Sequence, residues 1–154
     1  LFMGQEFAQE TEWNEKQELP WEQAEEPDHR ALQQYVKALN TFYQEHPAWY
    51  ETDFDAEGFE WLSSMDADHS IITFMRYDAK KEERLLVVCN FTPVTYENFK
   101  IGVPVAGKYK EIFNSDQISF GAKECEEDTL GWQGVFADDF RAAVRNERIS
   151  LCAD

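Results

Sequence analysis

The chain of 154 residues is short of several things, and each shortage excludes something. It has no run of 18 or more apolar residues, so no membrane-spanning helix is expected. Basic residues are scarce: 14 Lys and Arg stand against 31 Asp and Glu, a formal net charge of −17. Nucleic acid and anionic membrane select for clustered Lys and Arg, so neither is expected as a partner. An acidic surface suits a protein that handles a neutral ligand. Cysteine is limited to Cys89, Cys125 and Cys152, odd in number and without a CxxC pair. That pattern speaks against a disulfide framework and for a reducing compartment, here taken as the cytoplasm. His29, His46 and His69 lie far apart and form no HExxH or other ligand spacing, so neither a metal nor a cofactor is expected.

What is present begins with the stretch Arg84 to Pro93. Leu85 to Val88 is an unbroken apolar run, extended by Cys89 and Phe91. A strand buried on both faces reads as continuous hydrophobics, and Pro93 ends it because it has no N–H to donate. We take 84–93 as the central strand of an antiparallel sheet. Around it, Gly58–Ser63 alternates with Phe59 and Trp61 on one face, and Ser70–Tyr77 alternates likewise. The charged link Asp78–Glu83 reads as an exposed hairpin loop. Asn98–Val103 and Tyr109–Phe113 are further strands, and Asn114-Ser115-Asp116 is a turn signal. Short strands at this spacing predict a mainly β fold, an antiparallel β-sandwich.

Upstream the period changes. Pro27 and Asp28 mark a helix start. Leu32, Tyr35, Val36, Leu39, Phe42 and Tyr43 then make one apolar stripe. His46-Pro47 ends the helix, because Pro disfavours helical conformation in the residue before it. A helix over about 28–45 follows, with a linker from Trp49 to Glu57. Before the helix, Leu1–Met3 reads as a short strand closed by Gly4. Gln5 to Glu26 is a long polar loop carrying Trp13 and Trp21, and loops of that length are usually functional or shaped by a neighbour. An apolar run cut off at its first residue, without initiator Met or signal peptide, reads as the middle of a longer chain. Near the other end, a strand over 129–136 around Trp132, a short helix over 139–145 and a closing strand over 149–152 are expected.

Several of these segments resemble bacterial glycogen branching enzymes (1,4-α-glucan branching enzymes) of the α-amylase superfamily. They are Leu1-Phe2-Met3-Gly4-Gln5-Glu6-Phe7-Ala8-Gln9, Glu12-Trp13-Asn14, Leu19-Pro20-Trp21, Glu45-His46-Pro47-Ala48 and Gly58-Phe59-Glu60-Trp61. Val87-Val88-Cys89-Asn90-Phe91-Thr92-Pro93-Val94, Ile101-Gly102-Val103-Pro104 and Glu111-Ile112-Phe113-Asn114-Ser115-Asp116 continue the match in order to about residue 121. The resemblance implies that residues 1–50 are the last strand, loop and helix of a (β/α)8 barrel. It implies that 51–154 is the C-terminal all-β domain of that superfamily. It also implies that the nucleophile Asp, the acid/base Glu and the stabilising Asp belong to earlier barrel strands, so no catalytic residue is expected here. The parent would cleave α-1,4 glucan and rebuild it as α-1,6 branches through a covalent intermediate. The partners implied are an α-glucan and the N-terminal barrel of the same chain. The family pattern fails after Gly121, where a Gly-rich loop and a proline-bearing last strand are expected. Ala122–Asp154 has no proline at all.

Four residues are candidates for touching substrate, each with a plainer competitor. Glu6 follows the expected barrel strand, on the edge where barrels keep their active sites; the competitor is a structural hydrogen bond. Trp13 and Trp21 would border the cleft and stack on sugar faces, or else pack the loop down. Trp61 would hold glucan on the β domain, with core packing beside Phe59 as the competitor. Asn90-Phe91-Thr92 matches a glycosylation acceptor by accident of spacing, because it lies on the buried strand. Two other readings stay open: another α-amylase superfamily hydrolase, and a free-standing carbohydrate-binding or interaction module. If the barrel is absent, the helix stripe should pack on the β domain or on a second copy of the chain.

Overall fold

The computed structural model describes residues 2–92, 94, 96–107, 109–121, 140–144 and 148–153. Among these residues one α-helix precedes seven strands. Helix α1 spans Pro27–Glu45, with Pro27 in its first turn and Asp28 at the positive end of its dipole. It stops at His46, whose extended backbone is what the following Pro47 requires. The strands are β1 (Phe59–Asp66), β2 (Ile71–Tyr77), β3 (Arg84–Asn90), β4 (Tyr96–Ile101), β5 (Lys110–Asn114), β6 (Phe140–Val144) and β7 (Arg148–Ala153). Five of them form an antiparallel sheet in the order β1-β2-β3-β7-β5, and β4 pairs with β6 in a second sheet.

β3 is the middle strand of the five, and both of its faces are covered. Leu86 and Val88 turn toward the second sheet, in a core with Ile71, Met75, Tyr77, Ile101 and Tyr109. Val87 and Cys89 turn the other way, under Tyr35, Ala38, Leu39 and Phe42 of α1. The unbroken apolar run thus has two buriers: a second β layer on one side and a helix on the other. Asn90 ends the strand. Its side-chain carbonyl accepts from the Thr92 N–H at 3.0 Å and the Thr92 hydroxyl at 2.8 Å, and its amide donates to the Val94 carbonyl at 2.8 Å. Asn90 of the glycosylation-like triplet is therefore a buried turn support, while Phe91, expected to extend the buried run, is exposed.

The helix stripe packs in cis. Phe42 lies 5.0 Å from Phe113 ring to ring, and Tyr35 lies 6.1 Å from Phe113 and 5.4 Å from Phe120. Leu32 and Val36, grouped with that stripe from spacing alone, are only half-buried. The sheet-facing set is rotated toward Tyr35 and Ala38.

Three segments differ from expectation. Phe140–Val144 is a strand rather than part of a helix, because Ile101 and Phe99 of β4 pair with Phe140 and Ala142; ladder pairing overrides the helix preference of Ala. Phe2 and Met3 join neither sheet and are exposed, ending in a turn where the Gln5 N–H meets the Phe2 carbonyl. The loop 78–83 is not wholly exposed: Asp78 is buried, and its carboxylate accepts from the Glu83 N–H. The closing strand forms as expected and inserts between β3 and β5. The strand expected over 129–136 and residue Leu1 lie outside the described residues.

Candidate functional site

Three places gather polar or aromatic side chains. The first is on β1. Its register with β2 sets Phe59 opposite Arg76 and Trp61 opposite Phe74, so period two brings Phe59, Trp61 and Phe74 to one face. Phe59 and Trp61 meet edge-on at 4.8 Å, Phe59 and Phe74 stack at 5.1 Å, and Trp61 meets Phe74 at 5.7 Å. The hydrophobic cluster beneath α1 reaches Phe74 and goes no further. Trp61, on the edge strand, stays 53% exposed. Core packing, the competitor weighed from the sequence, is not its role; it is the outer ring of an aromatic shelf.

The second place is the loop before α1. Glu6 accepts from the Gly4 N–H at 3.1 Å and faces a shallow groove of about 290 Å³ shared with Gln33, Lys37, Asn40 and Gln44 of α1. Trp13 is 40% exposed and edge-on to Phe2 at 5.1 Å; Trp21 is 49% exposed and tilted on Phe7 at 5.8 Å. Phe7 is buried, and its carbonyl is bound by His29 Nδ1 at 2.7 Å, which ties the loop to α1. Trp21 thus lies on Phe7, the residue next to Glu6, while Trp13 lies against Phe2. The ring neighbours of Trp61 are Phe59 and Phe74.

The third place was hidden by its sequence context. The linker 46–58 is docked by charge. Arg76, 7% exposed, donates to the carbonyls of Ala48 at 3.3 Å and Trp49 at 3.0 Å and to the Asp53 carboxylate at 2.9 Å. Glu83 accepts from the Ala48 N–H at 2.9 Å, and its other oxygen meets His46 Nδ1 at 2.5 Å. Thr52 donates to the Tyr77 carbonyl at 2.6 Å. Gly58 lies against Thr52 so closely that a Cβ would fall 2.4 Å from the Thr52 carbonyl oxygen. The signal was available: Arg76 is the one charge within Ile71–Tyr77, and a buried charge must be paired.

Burial raises the Tyr77 hydroxyl well above the usual tyrosine range, reinforced by its 2.7 Å hydrogen bond to Glu60. Desolvation pushes the Cys89 thiol up to about 11 and also raises Tyr35. None of these three shifts brings its group toward neutrality. Among the described residues no group of three or more His, Cys, Asp or Glu is placed to hold a metal ion, and no helix is long and apolar enough to cross a membrane.

The fold is that of an antiparallel β-sandwich domain carrying a helical segment docked on one face. The family described as "Alpha amylase, C-terminal all-beta domain" matches residues 61–143, and the chain belongs to that family. Among curated relatives, the 1,4-alpha-glucan branching enzyme GlgB of Oceanobacillus iheyensis is 48% identical over 121 residues, 79% of this chain and 19% of that protein. Proteins of the same name from Synechococcus sp. strain RCC307 and Synechococcus elongatus are 41% and 43% identical over 152 residues, 99% of this chain. The chain spans 19% of the length of these relatives. The two longer alignments run through the tail after Gly121.

Proposed function

We propose that this chain is the carboxy-terminal part of a 1,4-α-glucan branching enzyme, in which residues 1–50 complete the (β/α)8 barrel and the β domain braces it. The observation that carries this reading is the similarity at 41–43% over 152 residues, which takes in loop, helix and sheet together. The docked linker gives the brace its physical basis. Arg76 on β2 and Glu83 in the hairpin loop that follows hold backbone groups of the segment that leaves α1, which ties the helix to the sheet. The reacting carboxylates of the parent lie in the barrel outside this chain, and the parent works by the two-carboxylate retaining route. The half-buried free thiol of Cys89 agrees with a reducing, cytoplasmic setting.

Within this reading the shelf headed by Trp61 holds an outer length of glucan, because the C–H face of a pyranose matches an exposed π surface. Glu6, Trp13 and Trp21 border the cleft. Two measurements test this. The parent incubated with amylose should gain debranchable α-1,6 points without a matching rise in reducing ends; a rise in reducing ends alone would mean a hydrolase of the same superfamily. The present chain alone should leave amylose unchanged, and turnover by it would overturn the proposal. In a glycogen-containing native gel the chain should be retarded, and Trp61→Ala should migrate freely. Equal migration of both, with and without glycogen, removes the glucan-holding role but leaves the brace.

A further inference from the structure

A polar cavity lies at the seam between the two sheets, apart from the aromatic shelf and the linker clamp. It has a volume of about 90 Å³ and is lined by β1 (Leu62, Ser63, Asp66), β2 (Ile71, Thr73) and the end of β4 with Gly102. Two irregularities in β1, between Trp61 and Ser63 and between Ser63 and Asp66, break the ladder opposite Thr73 and open this space. Gly102 leaves it open from the other side, since a Cβ built there meets nothing within 4 Å. Thr73 is 1% exposed, and its hydroxyl finds no hydrogen-bond partner among the described residues. Its ladder partners are Ser63 on β1 and Val88 on β3.

A buried hydroxyl without a partner is costly, and native proteins relieve the cost with ordered water where a site is roomy and polar. Empty cavities, by contrast, are apolar. This one has room for a water, which needs about 10–15 Å³ of such space. It also offers the Thr73 hydroxyl and the Ser63 and Asp66 side chains as polar lining. We infer that the cavity is an internal hydration site, with a water bound to the Thr73 hydroxyl and linking the bulged strand β1 to the seam. Asp66, also in the lining, is fixed by His69: its Oδ1 accepts from the His69 N–H at 3.2 Å and contacts His69 Nδ1 at 2.7 Å.

The test is the sign of a shape-conserving substitution. Thr73→Val keeps the volume and removes the hydroxyl. If water satisfies that hydroxyl, the valine strands the water, and the midpoint of thermal unfolding of the whole chain should fall by about 3–6 °C. If the cavity is dry, the same change removes an orphaned polar group, and the midpoint should hold or rise; that result overturns the inference. A high-resolution crystal structure of the unaltered chain gives an independent reading. Density within hydrogen-bond distance of Thr73 Oγ1 supports the site, and an empty cavity overturns it whether or not the valine variant folds.

Discussion

Two junctions on this molecule connect α1 to the rest, and they are built in opposite ways. On its carboxyl side, linker 46–58 is locked by Arg76, Glu83 and Thr52, with backbone carbonyls and amides satisfied by buried side chains. On its amino side, residues 2–26 are held mostly by short-range turns, by His29 and by the buried Phe7, while Phe2, Met3, Trp13 and Trp21 stay exposed. A segment whose polar groups are met within the chain has its partner present. The linker too leaves Tyr50 and Phe54 exposed, so the difference between the two junctions lies in how their backbone groups are held. That difference in anchoring agrees with the proposal that the linker serves as a brace.

The largest expected effect falls on the packed side. Phe42→Ala removes the ring that meets Phe113, Trp49 and His46, and should cost about 3–5 kcal/mol, read as a lower urea midpoint at unchanged slope. A cost below about 1 kcal/mol would mean that α1 is not truly docked. Next, Arg76→Met leaves the Ala48 and Trp49 carbonyls without their donor and should cost about 2–3 kcal/mol. Hydrogen exchange should quicken first at the amides of 48–50; uniform quickening across the sheet would dissolve the idea of a local clamp.

A smaller effect is set by pH. Cys89 is held in its neutral form by burial, with its folded pKa raised from 9.0 to about 11. Because the folded value lies above the unfolded one, the resulting stabilisation is whole below pH 9 and is lost as pH climbs through about 11. Alkylation between pH 8 and 10 should be much slower in the native chain than in urea, and equal rates would place the thiol in solvent. Smallest of all, Trp13→Ser and Trp21→Ser should each shift the stability of this chain by no more than about 0.5 kcal/mol. The same changes in the parent should impair it measurably. A large loss in the isolated chain would erase the contrast between the two junctions.

Much of this was legible in the residues. The helix bounds came from Pro27 and His46-Pro47, which act on the local backbone. The apolar run 85–88 announced a strand covered twice, since only double burial tolerates so little alternation. The exposure of Trp61 was not legible. Its period-two pairing with Phe59 is the same whether the face is covered or bare, and what decides is how far α1 extends across the sheet. The helix expected over 139–145 failed for a related reason: Ala-Ala favours helix locally, but β4 lay in reach as a ladder partner.

The sequence alone determined the order of elements, the family they belong to and the buried character of the middle strand. These depend on neighbours along the chain and on side-chain polarity. The tertiary structure alone decided which charges are internal. Arg76 stands out as the one charge in its strand, but nothing in a string of letters says what it, Asp78 and Glu83 would hold. They become fixtures of a junction only when the hairpin that carries them closes against the backbone leaving α1, bringing together groups 27 to 35 positions apart.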